Sequence, residues 1–114
     1  MTAMREPTYF ILAALLDGPA HGYGIVRDAA ELSGGRVRLT AGTLYGALER
    51  LAGEGLVEPD REEVVNGRRR RYFRLTGAGE AALAEETERM RSAADAVGER
   101  LSASSGLRAR EVSA

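Results

Sequence analysis

The chain has 114 residues and a formal net charge of −1, with 44% hydrophobic residues, no cysteine and one histidine, His21. A chain of this size supports one modest core and excludes a barrel or doubly wound enzyme; the absence of thiols and the single imidazole exclude a disulfide framework, a cysteine nucleophile and a histidine-rich metal site. No apolar stretch approaches the ~18 residues of a membrane span and the first residues lack the pattern of a secretory signal, so a cytoplasmic protein without membrane contact or cofactor is expected.

In chain order, the first element is a helix opened by Pro7, which suits a first helical turn. Tyr9-Phe10-Ile11-Leu12-Ala13-Ala14-Leu15-Leu16 is apolar nearly all round, so both faces are expected to be buried. Gly18 and Pro19 end it. A second helix is expected over about Gly22 to Leu32, with Ile25, Ala29 and Leu32 forming an apolar stripe at i, i+4 and i+7. His21 reads as a residue of its cap. A third helix starts at Thr40, a good N-cap, and runs to about Gly53. Leu44, Leu48 and Leu51 form its buried stripe, opposite Thr43, Gly46, Glu49 and Arg50, with Tyr45 at the flank.

The period then changes to that of a strand. Leu56 and Val57 open it, and Val64-Val65-Asn66-Gly67-Arg68 carries a strong hairpin signal, because Asn-Gly tolerates the positive φ angles of a type I′ turn. With Asn66 and Gly67 as the turn, Val65 faces Arg68, Glu63 faces Arg70 and Glu62 faces Arg71. Cross-strand ion pairs are expected at the last two. Tyr72, Phe73 and Leu75 return the chain to the core. Thr76 then caps a long helix in which Leu83, Thr87, Met90, Ala94, Val97 and Leu101 repeat every four and three residues, the seam of a coiled coil. This helix is expected to end near residue 102, with a disordered tail over 103–114.

The near-neutral total conceals an uneven charge distribution. Residues 36–50 carry +2 and residues 61–75 carry +4, while 51–60 carry −3 and each end of the chain −2. Local charge steers a polyanion better than the total does. The expected fold is mainly α with a small β-hairpin: a winged helix-turn-helix over 1–76, followed by a long C-terminal dimerisation helix over 77–102. In such a domain the third helix enters the DNA major groove and the hairpin meets backbone or minor groove.

These residues resemble the PadR-like transcriptional regulators, in their short subfamily with a single C-terminal helix. The resemblance runs through Gly18-Pro19-Ala20-His21-Gly22-Tyr23, then Gly42-Thr43-Leu44-Tyr45, then Leu48, Arg50-Leu51 and Gly55-Leu56-Val57. It ends in Gly67-Arg68-Arg69-Arg70-Arg71-Tyr72-Phe73-Arg74-Leu75-Thr76 and Gly79. It implies a repressor, often of a nearby transporter or detoxification gene. Three departures stand out. Gly46 replaces the proline that usually follows the third-helix motif. Residues 57–66 lack the usual aromatic. Residues 76–114 contain no aromatic, although some short relatives stack flat ligands on a tryptophan there.

The expected function is that of a transcriptional regulator that binds double-stranded DNA as a homodimer on a near-palindromic operator, acting as a repressor and relieved by a small apolar effector if one exists. That effector would be held by aliphatic contacts and by Tyr9 or Phe10. The expected DNA-contacting residues are Tyr23, Thr40, Gly42, Thr43, Tyr45, Arg50, Asn66, Gly67, Arg68, Arg69 and Arg70. Arg68 and Arg69 lead because Glu62 and Glu63 neutralise the other two. The expected dimerisation residues are Tyr9, Leu12, Leu83, Met90, Ala94, Val97 and Leu101. The rival reading is a winged-helix protein–protein adaptor without DNA binding. An enzyme is not expected, because neither a clustered acid–base pair nor a lysine-bearing phosphate loop is present.

Overall fold

The computed structural model describes residues 4–113, with side chains described to residue 106. The order of elements is α1 (Glu6–Ala14), β1 (Ala20–His21), α2 (Gly22–Leu32), α3 (Ala41–Gly53), β2 (Val57–Val65), β3 (Arg68–Leu75) and α4 (Gly77–Ser113). Two compact units result, Met1–Ala84 and Glu85–Ala114. The first is the winged helix-turn-helix together with the opening turns of α4.

The core of the first unit is built from the apolar stripes of the sequence. Ile11, Leu12 and Leu15 meet Ile25 of α2, and Leu44, Leu48 and Leu51 of α3, with Val57, Phe73 and Leu83 closing the cluster. Only one side of α1 is covered, contrary to the expectation of burial all round. Thr8, Ile11, Leu12, Ala14 and Leu15 are buried, while Tyr9, Phe10 and Ala13 are half-buried and Leu16 is exposed. Leu32 is exposed too, because the last turn of α2 lies beyond the covered layer. Val37 is buried just downstream instead. The Ser33 hydroxyl fixes that turn by accepting from the Val37 N–H at 2.9 Å and donating to the Ala30 carbonyl at 3.1 Å.

The hairpin has the expected register, with Val65 opposite Arg68, Glu63 opposite Arg70 and Glu62 opposite Arg71. Asn66 at φ 52° and Gly67 at φ 75° form the turn, the two left-handed residues that a type I′ geometry requires. Two features were not anticipated. Ala20–His21 pairs with Phe73 and Tyr72, which makes a three-stranded antiparallel sheet in the order β1-β3-β2; two residues are too few to show a strand period. A bulge between Pro59 and Glu62 also inserts an extra residue in β2.

Thr76 joins the sheet to α4. Its hydroxyl accepts from the Gly79 N–H at 3.0 Å and donates to the Gly55 carbonyl at 2.6 Å. The helical backbone then continues to Ser113 rather than stopping near 102. Residues 103–113 contain alanine, leucine, arginine and glutamate, all strong helix formers, and one interrupting Gly106 does not end the helix.

Candidate nucleic-acid interface

The N-terminus of α3 is a polar end with a bare face. The Thr40 hydroxyl caps it by accepting from the Thr43 N–H at 3.2 Å, and donates to the Thr43 hydroxyl at 3.0 Å. The Thr43 hydroxyl accepts that proton and keeps its own. A Cβ at Gly42 or at Gly46 would meet nothing within 4 Å, so another backbone can approach this face closely. The N–H groups of this first turn are unsatisfied by the helix itself and favour an anion.

Tyr23, the second residue of α2, is 74% exposed, so its hydroxyl is presented to solvent and does not lock α1 to α2. Tyr45 is placed differently. Its ring covers Gly22 and lies tilted against Phe73, with centroids 6.4 Å apart, leaving it about one-third exposed. A hollow of about 250 Å³ is lined by both tyrosines together with Gly22, Val26 and Leu44. Arg50 is committed inside the chain: its Nη2 donates to the Thr8 hydroxyl at 3.0 Å and its Nη1 lies 3.6 Å from the Glu54 carboxylate.

Along the wing, alternation sends Arg68, Arg70 and Tyr72 to one face and Arg69, Arg71 and Phe73 to the other. Both expected cross-strand ion pairs are replaced. Glu62 lies diagonally, 3.6 Å from Arg69 Nε, and Glu63 is held by Arg61 and Tyr72. Long side chains reach diagonal neighbours readily, so correct backbone register did not determine the ionic partners. Among the described residues no ion pair forms at Arg68, Arg70 or Arg71. Thus Arg69, expected to be free, has a carboxylate partner, and Arg70 and Arg71, expected to be paired, do not. The Arg71 guanidinium lies 5.3 Å from the Phe73 ring. Phe73 therefore joins Tyr45 of α3 to Arg71 of the wing.

The wing stem carries an ionic network that strand periodicity did not reveal. Asp60 accepts from Arg61 at 3.2 Å and from Arg74 at 2.8 Å, and Glu58 accepts from Arg74 at 2.8 Å. The Arg61 guanidinium lies 4.0 Å over the Tyr72 ring, and that ring meets His21 edge-on at 5.3 Å. The signal was a count. Eight residues separate Val57 from the turn and seven separate the turn from Leu75, so pairing Val57 with Leu75 requires a bulge.

His21 Nδ1 accepts from the Gly24 N–H at 3.4 Å and so caps α2. Burial holds its imidazole below the ordinary range, assisted by Arg70 and Arg27 and opposed by Glu63. The Arg61 guanidinium, and then the Tyr72 hydroxyl, hold the Glu63 carboxyl below the ordinary carboxylate range. Among the described residues no cluster of metal-binding side chains occurs and no helix is long and apolar enough to cross a membrane.

The expected dimerisation residues are buried, half-buried or exposed, and Tyr9 is half-buried. Leu12 and Leu83 are buried in the core of their own domain, which removes them from a docking surface. Both lie on the side of their helix turned toward the core. Met90, Val97 and Leu101 are 39%, 57% and 63% exposed, and Ala94 is exposed as well.

Residues 11–85 match the model of the transcriptional regulator PadR-like family. Two relatives are similar in sequence. Transcriptional regulator Rv3488 of Mycobacterium tuberculosis is 42% identical over 76 residues, 67% of each chain. An uncharacterized 37.1 kDa protein in transposon TN4556 of Streptomyces fradiae is 43% identical over 86 residues. That alignment spans 75% of this chain but only 23% of the Streptomyces protein. Among solved structures, Bacillus subtilis PadR in complex with operator DNA superposes with a TM-score of 0.62 at 26% identity, covering 71% of this chain and 46% of that one.

Proposed function

The chain belongs to the PadR-like family of transcriptional regulators, and from that premise we propose that it is a sequence-specific repressor acting as a homodimer on a near-palindromic operator. The observation that carries the reading is the joint at Phe73. Through it Tyr45 of α3 is linked to Arg71 of a wing in which Arg68, Arg70 and Arg71 form no ion pair among the described residues, Arg68 and Arg70 lying on the other face of the strand. A guanidinium without a partner suits phosphate or a narrow A·T-rich minor groove. Thr43, with Gly42 and Gly46 around it, is positioned to read a base edge at close approach. Tyr23 supplies a hydroxyl to a flanking phosphate, and Thr40 contributes by capping α3 and orienting the Thr43 hydroxyl. Asn66 and Gly67 put the wing tip into the groove. Tyr45 borders the reading face, and Arg50 contributes by holding α3 to α1.

The dimer is proposed to close through Met90, Ala94, Val97 and Leu101, whose apolar seam is exposed in the single chain. Tyr9, on the half-covered side of α1, would receive the last helix of a second copy. An effector would be small and apolar, held by aliphatic contacts and by Tyr9 or Phe10, whose rings meet edge-on at 5.2 Å.

The test is footprinting of the purified protein on the DNA upstream of its own gene. The expected result is protection of a near-palindrome whose half-sites lie one helical turn, or a multiple, apart. Binding that shows no preference for any segment over random duplex would overturn the repressor reading. Absence of DNA binding would favour the adaptor.

A further inference from the structure

Glu63 and Arg70 stand directly opposite each other in the β2–β3 register. Opposed Cβ atoms lie about 4.5–5.5 Å apart, so a carboxylate and a guanidinium there are each other's default partners. The two charges act on each other at longer range, but they form no ion pair at contact distance. Arg61 Nε donates to Glu63 Oε1 at 2.9 Å and the Tyr72 hydroxyl donates to Glu63 Oε2 at 3.1 Å, so both carboxylate oxygens are engaged.

Arg61 is built into this role. The bulge between Pro59 and Glu62 frees it from the ladder. Its Nη1 is fixed by Asp60 at 3.2 Å and its guanidinium carbon sits 4.0 Å over the Tyr72 ring. Arg70 is left beside Arg68 on the same face, and neither forms an ion pair among the described residues. A guanidinium held by Glu63 would have to break that bond before accepting a phosphate, and Glu63 is a strong competitor because its carboxyl stays ionised at neutral pH.

We propose that Arg61 is a positioning residue for DNA binding: it sequesters Glu63 and so keeps Arg70 available for phosphate, without touching DNA itself. The proposal rests on the reading of the wing as a DNA-contacting element. It gives the bulge a purpose, since a regular strand would leave Glu63 to its cross-strand neighbour.

The test measures affinity for a mixed-sequence duplex against salt concentration, because the slope counts phosphate contacts and a purely structural role would leave it unchanged. Arg61→Gln is expected to flatten the plot of log affinity against log salt by about 0.9 per wing. Arg70→Gln should do the same, and the Arg61→Gln/Arg70→Gln double variant should lose no more than either single. Glu63→Gln alone should keep the wild-type slope, and Arg61→Gln/Glu63→Gln should regain it. Additive losses in the first double variant, or no recovery in the second, would show that Arg61 meets phosphate directly and would overturn the proposal. An unaffected Arg61→Gln beside a weakened Arg70→Gln overturns it while leaving the wing reading intact. A wild-type slope in Arg70→Gln contradicts both. Thermal unfolding of each variant identifies any loss that comes from the fold, and the recovery arm decides the matter if Arg61→Gln is less stable.

Discussion

Tyr45 covers Gly22 so closely that a Cβ at residue 22 would fall 2.6 Å from the Tyr45 hydroxyl oxygen and 3.1 Å from its Cζ. The first residue of α2 therefore sets where the aromatic side chain of α3 rests. Gly22→Ala should push the phenol outward. That shift is inexpensive because the end of a side chain moves and not the backbone, so stability should change by less than about 1 kcal/mol. Affinity for operator DNA should fall further than affinity for random duplex, measured by fluorescence anisotropy. Equal losses on both DNAs would separate Tyr45 from the reading face.

Gly79 makes the opposite kind of contact. A Cβ there would lie 2.0 Å from the Leu56 carbonyl oxygen, which is backbone. Gly79→Ala must shift the start of α4 away from the α3–β2 connection and disturb the Thr76 cap. We predict a destabilisation of at least ~1–3 kcal/mol, seen as a lowered Tm in calorimetry. An unchanged Tm would mean that the α4 junction has room for a side chain.

Gly46 separates stability from binding. A Cβ there meets nothing within 4 Å, so Gly46→Ala should stabilise α3 by up to about 1 kcal/mol. If that face lies against DNA, the same methyl group hinders close approach and operator affinity drops. Higher Tm with undiminished operator affinity would place the DNA elsewhere.

The His21 cap makes stability depend on pH. Only neutral imidazole can accept the Gly24 N–H through Nδ1, and the folded chain holds the pKa of His21 below its ordinary value of 6.5. The unfolded chain thus takes up its proton first as pH falls. The contribution is complete above about pH 6.5 and is lost as pH falls toward the depressed folded value. Urea unfolding at pH 7.5 and 5.5 should show this loss in wild type and a smaller one in His21→Asn, which keeps a cap that does not titrate. The same pH dependence in both would assign it to other groups.

The seam of α4 predicts the assembly. Val97→Glu or Met90→Glu puts a charge among apolar residues and should convert a micromolar dimer to monomer in light scattering, with each domain still folded. A monomeric wild type would contradict the reading of this helix.

Much of this molecule was legible because single residues fix single features. Thr40 caps α3, Asn66 and Gly67 turn the wing, and the leucines at 44, 48 and 51 choose the buried face. Burial on a helix that meets several neighbours was harder to read. Leu12 is equally apolar whether it faces the core or a partner, and the i, i+3, i+4, i+7 row of Thr8, Ile11, Leu12 and Leu15 decides only once α2 and α3 are in place. Ionic partners were least legible. Register placed Glu62 and Glu63 correctly, yet side-chain reach and the bulge moved Glu62 to Arg69 and Glu63 to Arg61. Arg50, expected at DNA, pairs with Glu54 one helical turn on and with Thr8, 42 positions away.

Whether wing and third helix divide the work of binding is decided by the salt dependence of DNA affinity in Arg68→Ala/Arg70→Ala, set beside Thr43→Ala. The arginine pair should weaken operator and random duplex alike. It should also flatten the slope of log affinity against log salt by about 0.9 for each phosphate no longer neutralised, up to two in each wing of the dimer. Thr43→Ala should keep that slope and weaken the operator preferentially, by ~1–3 kcal/mol for each base edge no longer read. An arginine double variant that keeps both its affinity and its salt slope would remove the wing from the DNA interface and leave the adaptor in its place.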